Sequence, residues 1–152
     1  MTVWGISARI ERGNPVVIGL ELTGARSAPI ARQVFLHRCE ATDRARALML
    51  LANDLEHELG KLAPTVVVVR AMDWFQVRRE NVARPRIQVE GVVLAVTRRV
   101  VPVVEAMSGR AIGDLCGVSK AAIEAEATKL LGGFDRDAAV AGLAALVLAE
   151  GT

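Results

Sequence analysis

The segment Thr65-Val66-Val67-Val68-Val69-Arg70 constrains this chain more than any other. Its four consecutive valines disfavour helix, because β-branched side chains lose rotamer freedom against the preceding helical turn. A continuous apolar run of this length reads as a buried central strand of the kind that helices cover on both faces. The run points to an α/β architecture, and it ends in arginine. In open α/β sheets the chemistry gathers outside the carboxyl ends of the strands. Arg70 therefore sets a permanent cation where function is expected.

The rest of the chain fits around this strand. Val3–Ala8 and Pro15–Leu22 read as paired strands joined at Glu11-Arg12-Gly13-Asn14, with Gly13 and Asn14 supplying the unusual backbone angles of the turn. Pro29–Leu36 reads as a third strand. Thr42 or Asp43 caps a helix with Leu48, Leu51, Leu55 and Leu59 on one stripe, stopped by Gly60. A polar stretch with Trp74 and Phe75 runs up to Pro85. Ile87–Arg99 stays open: its valines favour strand, whereas its length and the Arg98-Arg99 ending favour helix. Val100–Val104 reads as a short fifth strand. Ser119 caps a helix bearing Ile123, Ala127, Leu130 and Leu131 and closed by Gly132-Gly133. Asp135 or Asp137 opens a last helix that is apolar almost all round, and hence packed in the core. Three strands, helix, strand, helix, strand, then helices implies a five-stranded mixed sheet with helices on both faces.

At 152 residues the chain is expected to be a single domain over 1–152. With 52% apolar and 24% charged residues it is globular rather than disordered. A net charge of +2 does not by itself indicate nucleic-acid binding, but its distribution is uneven. Residues 70–99 carry seven arginines against Asp73, Glu80 and Glu90, while residues 100–152 are net acidic. Cys39 and Cys116 match no metal-ligand spacing and read as reduced thiols of a cytosolic protein. No N-terminal signal is visible, and the longest apolar run, Ala138–Ala149, is too short to span a bilayer. A cytoplasmic location without membrane association is expected.

Four passages together resemble the RuvC-type Holliday junction resolvases of the ribonuclease H-like superfamily. Val3-Trp4-Gly5-Ile6-Ser7 stands where that family has a first strand of hydrophobic-Gly-hydrophobic-Asp type. Thr65–Arg70 stands where a valine-rich strand ends in Glu. Gly91-Val92-Val93-Leu94-Ala95 and then Val101-Pro102-Val103-Val104-Glu105 resemble the helix and strand leading into the second half. Ser119-Lys120-Ala121-Ala122-Ile123, Leu130-Leu131-Gly132 and Asp137-Ala138-Ala139-Val140-Ala141 resemble a lysine-containing helix and a terminal helix of Asp-Ala-Ala-Asp-Ala type. The resemblance implies a ribonuclease H-like α/β fold, and a homodimer as in those resolvases.

It also implies a nuclease site in which about four carboxylates hold two divalent ions for phosphodiester cleavage. Position by position, Ser7 replaces the first-strand Asp and Arg70 the Glu of the valine-rich strand. Asp137 matches the first acid of the last helix, while Val140 occupies the place of the second. Magnesium or manganese needs anionic oxygen ligands, and Asp137 alone beside a guanidinium does not supply them. The expectation is a relic site without a metal cofactor, in which Arg70 neutralises Asp137 with Asp135 assisting. In the alternative, Asp135, Asp137 and Glu21 have taken over a relocated magnesium or manganese site. Asp73, three residues beyond Arg70, points to the opposite face if the strand continues.

Arg70, Arg78, Arg79, Arg84, Arg86 and Lys120 are the candidates for contacting DNA or RNA. Arginines interleaved with Trp74 and Phe75 suit phosphates and bases, although the two aromatics suit packing at least as well. Lys120 falls where the resembled family has a basic residue near the scissile phosphate; it can equally face water. His37 and His57 have no sequence-local partner for a triad or a metal site, and no His or acid is locally placed to activate Ser7 as a nucleophile. The function expected is a non-catalytic RuvC-like protein that binds nucleic acid or a DNA-processing partner. The alternatives are a divergent metal-dependent endonuclease and a structural interaction protein without nucleic-acid affinity.

Overall fold

The computed structural model describes residues 1–40, 42–73, 80–131 and 135–151, the side chains of Glu80, Asn81 and Leu131 excepted. Among these residues the chain forms β1 (Val3–Glu11), β2 (Asn14–Thr23), β3 (Ile30–Arg38), α1 (Arg44–Leu62), β4 (Val66–Arg70), α2 (Glu80–Val100), β5 (Val103–Met107), α3 (Gly109–Leu115), α4 (Lys120–Leu131) and α5 (Arg136–Glu150). The strands make one mixed sheet in the order β3-β2-β1-β4-β5. β1–β2 and β2–β3 are antiparallel, whereas β4 runs parallel to both β1 and β5. All five β4 residues are buried, as the unbroken valine run requires. The α/β fold class, the five strands and the helices on both faces follow the sequence expectation.

Several boundaries differ from that expectation, each for a local reason. In the β1–β2 turn the positive φ angles belong to Arg12 (50°) and Gly13 (80°), while Asn14 already pairs with Glu11. A two-residue turn of this hand needs φ above zero at both central positions, so the strain falls on Arg12 rather than Asn14. Helix α1 runs through Gly60 to Leu62 and stops at Ala63, which takes φ 44° and donates to the Leu59 carbonyl at 2.8 Å. The stop comes from Pro64, which disfavours helical geometry in the residue before it. Asp43 is the N-cap, accepting from Ala45 N at 3.0 Å.

The open segment is helix. α2 begins at Glu80, ahead of Pro85, and buries Val89, Val93 and Val96 along one stripe. Gln88, Gly91, Ala95 and Arg98 lie on its exposed side. That three-to-four spacing is helical, and a strand would have alternated. The fifth strand is displaced to Val103–Met107 because Val101 still donates to the Thr97 carbonyl and Pro102 has no N–H to give a ladder. The short helix α3, capped by Ser108, was not legible as a separate element. Gly132 and Gly133 lie outside the described residues.

Two cores sandwich the sheet. On one face α1 and α2 cover Trp4, Ile6, Ala8, Val67 and Val69. On the other, α5 lies against Val3, Val66 and Val68, with α3 and α4 beside it. Every residue of α5 from Ala138 to Leu146 is buried, and each large aliphatic side chain such as Leu143 contributes about 1.5–3 kcal/mol of burial free energy. Gly5 decides how close α5 comes. A Cβ at Gly5 would run into the Ala138 carbonyl and the Gly142 amide, so helix backbone rests directly on strand backbone. This contact sets the start of α5 above the ends of β1 and β4.

Candidate functional site

Ser7 and Arg70 are partners in the parallel β1–β4 register, and both point to the α5 face, two positions beyond Gly5 and Val68. Both are buried, Ser7 at 2% and Arg70 at 3% exposure. Above them stand Asp135, the N-cap of α5, and Asp137 in its first turn. The strand end and the helix start thus meet, and Arg70 forms the expected ion pair with Asp137, but a third acid lies closer to its guanidinium.

The principal partner of Arg70 is Asp73. Arg70 Nη2 donates to Asp73 Oδ2 at 2.7 Å, and Nη1 donates to the Ala71 carbonyl at 2.5 Å. Asp137 Oδ1 lies 3.9 Å from Arg70 Nε, an ion-pair distance too long for a hydrogen bond. Asp135 does not reach Arg70's guanidinium; it accepts from Ser7 Oγ at 2.7 Å, from Arg9 Nη1 at 3.0 Å and from the Ala138 amide at 2.8 Å. The assisting role expected of Asp135 is thus replaced by a bridge to Ser7 and Arg9. Asp73 faces the site because the strand ends at Arg70. Ala71 N still donates to the Met107 carbonyl at 2.9 Å, and Met72 and Asp73 lie outside the strand.

Asp73 is the hub of the site. It accepts from Arg70, from Lys120 Nζ at 2.8 Å and from the Gly109 amide at 3.3 Å, so it ties β4 to α3 and α4. Burial raises its pKa, but the hydrogen bonds from Arg70 and Lys120 prevail and hold it at about 2, below the ordinary 3.8. Gly109 makes room for the two cations, since a Cβ there would press on the Arg70 guanidinium and on Lys120 Cε. Lys120 therefore points into the site rather than into water, with Glu124 Oε1 3.9 Å from its Nζ.

Beside this hub is a cavity of about 270 Å³ lined by Arg70, Met72, Asp73, Arg86, Lys120, Glu124, Arg136 and Asp137. Arg86 is held by Glu90 at 2.9 Å. Burial raises the pKa of Glu90, opposed by Arg86, by the Met72 backbone and by Arg70. Arg84 is exposed on α2. Trp74, Phe75, Arg78 and Arg79 lie outside the described residues, so the structure places neither the aromatics nor those two arginines.

The residues present do not fit a two-metal site. Ser7 is neutral and Val140 is fully buried in the α5–sheet core. Asp73 and Asp135 already serve cationic and neutral donors, and a guanidinium stands next to Asp137. The relocated set fails on geometry as well. Glu21 pairs with Trp4 in the β1–β2 register, shares its α1–α2 face, and binds Arg32 at 2.6 Å on the side opposite Ser7. Among the described residues no three His, Cys, Asp or Glu side chains are grouped as metal ligands. Elsewhere, His37 does find a partner, its Nδ1 2.8 Å from Asp54 Oδ2. Both cysteines are free thiols.

Sequence reasoning missed Asp73 as a hub, along with Gly109, Glu124 and Arg136. The usable signal was the i, i+3 spacing of Arg70 and Asp73, which brings opposite charges together as soon as a strand turns.

No protein-family model matches the chain, and no curated protein matches it in sequence. Solved structures do match. A Thermus thermophilus RuvC structure is similar at TM-score 0.69 and 16% identity, covering 99% of this chain and 96% of that one. T. thermophilus RuvC in complex with a Holliday junction substrate gives TM-score 0.68 and 17% identity over 99% and 96%. The yeast mitochondrial Holliday junction resolvase Ydc2 gives 0.55 and 13%, over 95% of this chain and 76% of that one. The chain thus has a RuvC-like fold, and no helix among its described residues is long and apolar enough to cross a membrane.

Proposed function

We propose that this protein is a non-catalytic, RuvC-like nucleic-acid-binding protein, in which a charge network has taken the place of a two-metal nuclease centre. The observation that carries the reading is the buried Arg70 guanidinium at the end of β4, hydrogen-bonded to Asp73 and 3.9 Å from Asp137. At that separation a divalent ion near Asp137 would be repelled by the guanidinium, at about 4 kcal/mol per unit-charge pair for an effective dielectric near 20. Nucleic-acid binding is supported by the likeness to RuvC bound to a Holliday junction, and by the basic side chains of Arg70, Arg86, Lys120 and Arg136 around one cavity. The reading carries with it a homodimer and a cytoplasmic location.

A gel shift with branched and linear DNA over a range of salt concentrations tests the reading. Salt-sensitive binding without magnesium- or manganese-dependent cutting is the expected result. Cutting that Asp137→Asn abolishes would instead establish a divergent nuclease. Absence of binding even at low ionic strength would leave a structural interaction protein.

A further inference from the structure

At the far end of the sheet from β4, the strand β3 has an open edge. Among the described residues its nine residues pair with β2 alone, whereas the other terminal strand, β5, has only five. A long edge offers unpaired N–H and C=O groups to a further strand, and proteins commonly guard it with charge or a bulge. The arginines of β3 are engaged within their own sheet, Arg32 with Glu21 and Arg38 with Glu11, each at 2.6 Å. The bulge falls at Val34, which the β2–β3 register skips between Gln33 and Phe35. It sets two consecutive side chains, Val34 and Phe35, against the core on the α1 side.

Helix α1 turns one side towards this edge, since His37 Nδ1 on β3 lies 2.8 Å from Asp54 Oδ2. Between strand and helix runs a groove of about 310 Å³ lined by Val34, Phe35, Leu36, Asp54, His57 and Glu58. Its strand side is apolar and its helix side carries two carboxylates, with no Lys or Arg among the described lining residues. Glu58 has only a loose contact with the exposed Lys61, at 3.8 Å. The His37 contact leaves the charge of Asp54 in place whenever the imidazole is neutral.

We propose that this groove docks an extended segment of a partner protein, which adds to β3 as a sixth strand and carries basic side chains at i and i+2. Main-chain hydrogen bonds to the edge supply the binding, and alternate side chains supply the selection. Asp54 and Glu58 are four residues apart on α1, a rise of about 6 Å. Same-side residues of a strand repeat at about 6.6–6.8 Å, so two successive basic side chains can meet both carboxylates. Their alkyl stems would lie along Val34 and Phe35 while the charged ends reach the wall. The same wall repels nucleic-acid phosphates, so this surface is distinct from the basic cavity at Arg70. A second copy paired through its own β3 would bring another Asp54–Glu58 wall beside the first, like charge against like.

The test is an NMR titration of the full chain with an eight-residue peptide that alternates lysine and threonine. The backbone amides of Ile30–Arg38 are expected to shift, to saturate and to exchange more slowly with solvent. Asp54→Asn, which keeps a partner for His37, and Glu58→Gln are each expected to weaken binding about threefold, the scale of an exposed charge pair. A peptide with its four lysines in one block should bind less well than the alternating one. Methylating the backbone nitrogens of either the lysines or the threonines should abolish binding in one of the two cases, because one set faces β3. Unmoved β3 amides, or an affinity unchanged when both carboxylates are replaced, overturn the proposal. Equal binding by both methylated peptides overturns strand addition. A dimer that the peptide dissociates assigns the edge to a second copy, and displacement of the peptide by duplex DNA assigns it to nucleic acid; either overturns the proposed occupant.

Discussion

Arg70 Nη2 and Asp73 Oδ2 are 2.7 Å apart across the point where β4 ends. A buried guanidinium at a strand end is tolerable only with such a partner, because an unpaired internal charge costs several kcal/mol. The same carboxylate draws in Lys120 from α4 and the Gly109 amide from α3, so one acid closes the junction of three elements. Where the resemblance to a nuclease would require acids gathered around metal ions, this chain has cations gathered around an acid.

Replacing Asp73 exposes that dependence. Asp73→Asn removes the charge facing Arg70 and Lys120, and is expected to lower stability by about 2–4 kcal/mol, read from the urea midpoint. The pH dependence carries the same signature. The folded pKa is about 2 against an ordinary 3.8. A carboxyl depressed in the folded state stabilises above the unfolded value, and that stability disappears as pH falls through the folded value. The wild type should therefore lose about 2 kcal/mol between roughly pH 4 and pH 2, a loss missing from the variant.

Gly5→Ala tests what holds α5 over the site. The added methyl meets the Ala138 carbonyl and the Gly142 amide, both backbone atoms that cannot swing aside. Overpacking of a core commonly costs about 1–3 kcal/mol, and rigid backbone on both sides places this change at or above the upper end. Because Asp135 and Asp137 ride on α5, the Ser7–Asp135 hydrogen bond should loosen too. A thermal melt checks the first effect, and the Arg70 and Ser7 resonances check the second.

How far the sequence could be read depends on what each residue's position requires of its neighbours. The β4 valines and the apolar body of α5 announce themselves because continuous burial leaves few alternatives. Ser7 and Arg70 near the ends of β1 and β4, and Val140 on the last helix, were equally legible, since each stands at a fixed place in the element order. What could not be read was the partner of Arg70. It depends on where β4 stops, a property of the sheet and of the Ala71–Met107 hydrogen bond rather than of Asp73 itself. The helical state of α2 was obscured for a different reason. Valine is poor in helices by propensity, and the burial of Val89, Val93 and Val96 overrides it.

Arg86→Ala should act through Glu90. Burial already raises this carboxyl above its ordinary 4.5, and Arg86 opposes the rise. Without Arg86 the pKa climbs further. A carboxyl raised in the folded state favours folding most when protonated, below the unfolded value, and costs stability as pH rises through the folded one. The variant should therefore be destabilised at neutral pH and recover relative to wild type below about pH 4.5. Melting temperatures compared at neutral and acidic pH check the sign. An equal deficit at both would mean that Arg86 acts by packing alone.

Arg136→Ala addresses the nucleic-acid reading through salt dependence. Each phosphate neutralised by a protein cation adds about 0.9 to the slope of log affinity against log salt on duplex DNA. Arg136 is exposed and makes no ion pair among the described residues, so its removal should leave the fold intact. The slope should become shallower by about one unit, with weaker binding at every salt concentration. Arg32→Ala is the control. Arg32 is exposed but bound to Glu21 on the far side of the sheet, and its loss should leave the slope where it was. A slope that shifts equally in both variants would mean binding by diffuse positive charge. A change confined to Arg136 places a phosphate at the start of α5.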